Sequence, residues 1–237
     1  MNYFNAIQAF VNEVRALSGY RVVRDELVRA EAPLDEAVEA ELRDECERFE
    51  LDAGMRSWWS EIANVRVEWE GPPNPDGSTG GGVLWVPSVF DMARPAYVDN
   101  ELDAMVPSTS AERALLLELH LLALHDATHW SALRIREGYA PEVWYRTTDA
   151  TGRTPLDVPI GPMERYTEMM MRARGADRWQ CLLVDPNRLS DADARALALR
   201  EAPVLIRALE ALASVPSARA DALVLVERAR ALRDRAH

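Results

Sequence analysis

The run VRVEWE (Val65–Glu70), GPPNPDGSTGGG (Gly71–Gly82) and VLWVPS (Val83–Ser88) decides the fold class. In VRVEWE apolar and polar side chains alternate. A period of two puts one set on a buried face of a strand and the other toward water. The stretch Gly71–Gly82 is dense in Gly, Pro, Asn and Asp, which marks a loop. VLWVPS reads as a second strand. The three pieces together predict a β-hairpin with a long, flexible glycine-rich tip at Gly77–Gly82.

Upstream of the hairpin the period is helical. Phe4, Ile7, Val11, Val14 and Leu17 recur at helix spacing, and Gly19 stops the run. After Pro33, LDEAVEAELRDECERFEL carries Val38, Leu42, Cys46 and Phe49 on one stripe. Met55–Ala63 reads as a short helix with Trp58 and Trp59. Downstream, the apolar stretch Ala111–His125 reads as a helix, SALRIRE (Ser131–Glu137) alternates as a strand, and EVWYRTT (Glu142–Thr148) reads as another strand. MERYTEMMMRARG is a helix that Gly175 closes, and two more helices follow, about Ser190–Ala213 and Ser217–Ala236. Helices, then strands in pairs, then helices: the order predicts an α+β fold with a twisted, largely antiparallel sheet flanked by helices, plus extra C-terminal helices. The expected organisation is a body over residues 1–189 and a helical pair over 190–237 packed on it.

Charge restricts the partner. The net charge is −12, and residues 190–237 carry eight Arg against seven acidic side chains, so the acidity belongs to residues 1–189. That balance argues against nucleic acid and against an anionic membrane surface, both of which need clustered cations. It leaves an acidic docking face for a basic protein as the sharper expectation. The chain has no lysine. A Walker A phosphate loop, a lysine Schiff base and a Ser–Lys dyad are thereby excluded. GSTGGG precedes a strand rather than a helix, so it is no dinucleotide cradle. Two isolated cysteines, Cys46 and Cys181, make no disulfide framework. No stretch reaches the ~20 apolar residues of a membrane span, and the expected compartment is the cytoplasm.

HLLALHDATHW holds the main cluster of metal-ligating side chains in the chain. On a helix, His125 and His129 are four apart, share a face and could chelate one zinc ion, with Asp126 where H-E-x-x-H has its base. Aspartate is one methylene short for that work, and His120 falls on the opposite side of such a helix. A metal-dependent hydrolase using His125 and His129 is therefore kept only as the alternative. Paired carboxylates such as Asp44/Glu45/Glu47 and Asp99/Glu101/Asp103 read as solvated acidic faces. No catalytic residue, cofactor-binding residue or cofactor is expected.

Two stretches resemble a known family. MRSWWSEIANVRVEWEG followed by GGGVLWVPS is similar to the SMI1/KNR4 (SUKH) superfamily, with Trp58, Asn64, Trp69 and Gly80–Gly82 at the matching places and Val65 where the family's turn glycine usually stands. ALRIREGYAPEVWYRTT through MERYTEMMMRARGADRWQCLLVD resembles the family's strand pair, helix, R-G and W-Q ending, here Arg174, Gly175, Trp179 and Gln180. The likeness runs from about Pro33 to Asp185. It implies a fold without a shared active site. It also implies a non-catalytic function: many bacterial members are immunity proteins that neutralise a cognate toxin. The expectation is a protein-binding partner of that kind, with a regulatory interaction module as a further alternative.

Overall fold

Three strands, β1 (Arg21–Arg29), β2 (Ile62–Pro73) and β3 (Thr79–Val86), form one antiparallel sheet in the order β1-β2-β3. This is the arrangement in a computed structural model, which describes residues 2–32, 34–45, 51–93, 110–126 and 129–235. Val65, Val67 and Trp69 alternate onto the buried face of β2, and Leu84 and Val86 do so on β3. The hairpin is tighter than its composition predicts. Only Asn74–Ser78 form the turn, closed by the Asn74 N–H donating to the Ser78 carbonyl at 2.7 Å. The glycines Gly80 to Gly82 are therefore strand residues and not a flexible tip.

They are there because another backbone lies against them. A Cβ on Gly80 would stand 2.5 Å from the carbonyl oxygen of Arg207, in a helix packed across the sheet. Real side chains do not tolerate that distance, so glycine is what lets the helix approach. At the same edge, Gly175 sits at φ +67°, and the Val83 N–H donates to its carbonyl at 2.8 Å. The helix that ends there thus closes onto β3.

A second sheet has the order β4 (Leu119–Asp126), β5 (His129–Arg134), β6 (Glu142–Thr148) and β7 (Pro155–Gly161), all antiparallel. Here one expectation needs correction. The predicted helix Ala111–His125 ends early, at Glu118, and β4 begins at the next residue. HLLALH is almost continuously apolar because β4 is covered on both sides: Leu119 belongs to a small cluster with Trp130, and Leu122 to the main core. A strand buried on both faces loses the alternation that identifies it. β7 carries Pro155 and Pro159, which mask a strand in sequence. It is an edge strand, where a missing N–H is tolerated.

Eight helices surround the sheets among the described residues: α1 (Tyr3–Ala16), α2 (Glu36–Glu45), α3 (Ala53–Trp59), α4 (Val89–Ala93), α5 (Ser110–Glu118), α6 (Met163–Ala173), α7 (Asp191–Leu212) and α8 (Arg219–Asp234). The fold is α+β and antiparallel, as the element order predicts, with its strands divided between two sheets. Ser190 caps α7 by accepting from the Asp193 N–H at 3.1 Å, and Asp52 caps α3 in the same way. Ile7 and Phe10 of α1, Trp69 of β2, Leu205 and Leu209 of α7 and Leu225 of α8 all lie in one continuous core. Helices α7 and α8 therefore share the core of the preceding body. No helix among the described residues is long and apolar enough to cross a membrane.

Candidate functional site

His125 and His129 do not share a helix face. His125 lies on β4 and His129 on β5, on the two sides of a hairpin in which Asp126 is the partner of His129. The side chains of His125 and Asp126 lie outside the described residues, as do Cys46, Glu47, Asp99, Glu101 and Asp103. The helical spacing that motivated a zinc pair is thus absent. Among the described residues no group of three or more His, Cys, Asp or Glu side chains is placed to hold a metal ion. His120 is buried, with Nδ1 3.0 Å from the Met92 carbonyl.

What the fold gathers instead is a closed polar clamp around Glu201. This carboxylate projects from the middle of α7 and is 3% exposed. His129 of β5 places Nε2 3.0 Å from its Oε1. Thr147 of β6 donates its hydroxyl to the same oxygen at 3.2 Å. Arg178, in the segment after α6, brings Nε to 3.2 Å from Oε2. Burial alone raises a carboxyl pKa. The hydrogen bond and charge of His129, the charge of Arg178 and the Thr147 hydroxyl together outweigh it, and Glu201 titrates below the ordinary carboxylate range. Arg178 reaches this position from a left-handed backbone, φ +67°, a conformation that a non-glycine residue keeps only when its surroundings hold it there.

Next to the clamp, Arg146 of β6 is almost fully buried. It donates to both oxygens of Asp157 on β7 at 2.6 Å, and its guanidinium lies 4.7 Å from the centre of the Trp130 ring. Burial drives the Tyr166 phenol far above its usual range, against the pull of Ser131 and Gln180. Burial also pushes the Cys181 thiol up, the neighbouring Glu201 charge adds to this, and so little thiolate forms. A carboxylate held ionised by three donors is a poor general base, and a buried protonated thiol is a poor nucleophile. The arrangement is suited to pinning α7 across β5 and β6.

Chemistry directed outward lies on α2 and the segment that leads into it. Glu31, Asp35, Glu36, Glu41 and Asp44 are exposed, and Arg43 is the lone basic residue from Ala30 to Glu45. Leu42 anchors the helix from below, in the main core. Glu39 pairs with Arg56 of α3, which holds the exposed carboxylates against the body. Asp35 caps α2, accepting from the Ala37 and Val38 N–H groups at 3.0 Å. The result is a negative ridge attached to the body.

Sequence reasoning missed Glu201 and Arg178. Glu201 had a usable signal, since it stands four residues from both Leu197 and Leu205 on the buried stripe of its helix. Arg178 had none, because its backbone conformation is imposed by tertiary packing. Compared with known proteins, the chain has no significant match to a protein-family model, a curated protein or a solved structure.

Proposed function

We propose that the chain is a non-catalytic binding protein of the immunity type, which neutralises a basic cognate protein by docking its acidic α2 ridge on it. The observation that carries this reading is the ridge itself: three exposed carboxylates on a helix anchored by Leu42 and two more, Glu31 and Asp35, in the segment leading into it, with one cation among them. Clustered like charges weaken a fold through self-repulsion and gain their use when an opposite surface meets them. The closed clamp at Glu201 supports the reading from the other side, since its ionisable groups are spent on each other. The resemblance of Pro33–Asp185 to the SMI1/KNR4 superfamily supports the immunity role in particular. A toxin domain that acts on nucleic acid presents a basic cleft, and an acidic ridge is the shape of charge that fills one.

Co-expression tests this. Growth arrested by a basic toxin domain encoded beside this gene is restored by the wild-type chain, and the two proteins co-elute. If the neighbouring genes encode no such protein, or if growth stays arrested while the chain is fully expressed, the proposal fails.

A further inference from the structure

The C-terminal helices present a surface of the opposite sign. Along α7, Asp191, Ala194, Arg195 and Ala198 fall at i, i+3, i+4 and i+7, which is one helix face. Along α8, Arg228, Ala231, Leu232 and Arg235 fall at the same intervals. These two stripes wall a groove in two adjoining parts, of about 390 and 210 Å³, that share Pro186, Leu232 and Arg235. Leu182, Val184 and Pro186 make its apolar floor.

Three features give the groove a chemical preference. The walls are built from alanines, which leave room for a guest side chain above the floor. The charges that line it are three arginines and one aspartate, in a protein whose net charge is −12. Arg195 and Arg235 form no ion pair among the described residues, whereas Arg172 pairs with Asp221, and Arg230 with both Glu210 and Glu227. Unpaired guanidinium groups over an apolar floor complement a ligand that is anionic and aliphatic at once.

We propose that this groove binds an acidic peptide segment of a partner protein, with a leucine-like side chain on the floor between Val184 and Leu232 and carboxylates facing Arg195, Arg228 and Arg235. The occupant is a peptide and not a nucleic acid, because the chain's overall charge repels a polyphosphate while a short acidic segment feels chiefly the local arginines. The groove lies on α7 and α8, apart from the α2 ridge, so this inference and the proposed function stand or fall separately.

Fluorescence anisotropy with a short fluorescein-labelled peptide, Glu and Leu at helical spacing, tests it on the full chain. The expected result is saturable binding that weakens as salt is added. In Arg195→Glu/Arg235→Glu the affinity falls about tenfold or more. Both positions are exposed, so an unchanged melting temperature checks that the fold is intact. Ala194→Phe, which fills the groove without changing charge, lowers binding as well. A Glu/Ser peptide, with the charge but no aliphatic side chain, binds more weakly. Equal affinity for wild type and the double reversal overturns the proposal. So does saturable binding of dodecanoate with none of the peptide, which would make the groove a small-amphiphile site.

Discussion

Replacing Glu201 by alanine is the sharpest perturbation of the clamp. It removes one side chain that serves three donors on three different elements: His129 on β5, Thr147 on β6 and Arg178 after α6. Removing one partner of a buried ion pair costs about 3–5 kcal/mol, because the remaining charge stays buried without compensation. His129 and Arg178 keep 12% and 19% of their side-chain surface in contact with water, which eases that penalty. The expected loss is therefore at the lower end, about 3 kcal/mol. For a chain of this length that corresponds to a fall in melting temperature of about 6–12 °C. Urea denaturation followed by tryptophan fluorescence reads it, since Trp130 and Trp179 are buried close by. Glu201→Gln keeps an acceptor but loses the charge, and is expected to cost about half as much. A double-mutant cycle with His129→Ala should return a coupling of about 1 kcal/mol or more. If Glu201→Ala stays within about 0.5 kcal/mol of wild type, the clamp does not hold α7 to the sheet, and the assignment of Glu201 is refuted.

Three further outcomes follow from the same structure. Glu201 titrates lower when folded than unfolded, so its stabilisation is present above the ordinary carboxylate pKa and is lost as pH falls through the folded value. The stability gap between wild type and Glu201→Gln should accordingly close as the solution is acidified below about pH 4, as chemical denaturation across pH will show. Gly80→Ala places a Cβ 2.5 Å from the Arg207 carbonyl oxygen, and a loss of about 1–3 kcal/mol in the same assay is expected as α7 is forced off β3. The Cys181 thiol is buried and its pKa is raised, so iodoacetamide should leave it unmodified in the native protein and alkylate it after denaturation, which peptide mass spectrometry can follow.

Much of the architecture was legible from the chain alone. VRVEWE alternates because its strand has one buried face and one wetter one, and the strands read in VLWVPS and EVWYRTT lie in β3 and β6. The helices α1, α6, α7 and α8 are readable from their helical spacing and their stop and start residues. The failures fall where burial erases periodicity or tertiary contact overrides it. β4 reads as helix in the sequence because both of its faces are apolar. β1 went unassigned, although Val22 and Leu27 mark its inner face: a bulge at Val23 interrupts the alternation, and charged neighbours such as Arg24 and Glu26 blunt its free edge. The glycines of β3 look like a loop until Arg207 is seen against them. The same limits governed the site. His125 and His129 seemed paired only on the assumption of a helix, whereas the clamp joins residues as far apart as His129 and Glu201 through contacts that no local pattern records.

The central claim is that the acidic ridge of α2 is the binding face. It is tested most directly by measuring the affinity of the chain for the basic protein encoded beside it, before and after reversing Glu36, Glu41 and Asp44 to arginine. All three side chains are exposed, so the fold should be unaffected. The expected result is a loss of affinity of about a hundredfold or more, together with a weaker dependence on salt. Tight binding that is indifferent to the reversal would contradict the claim.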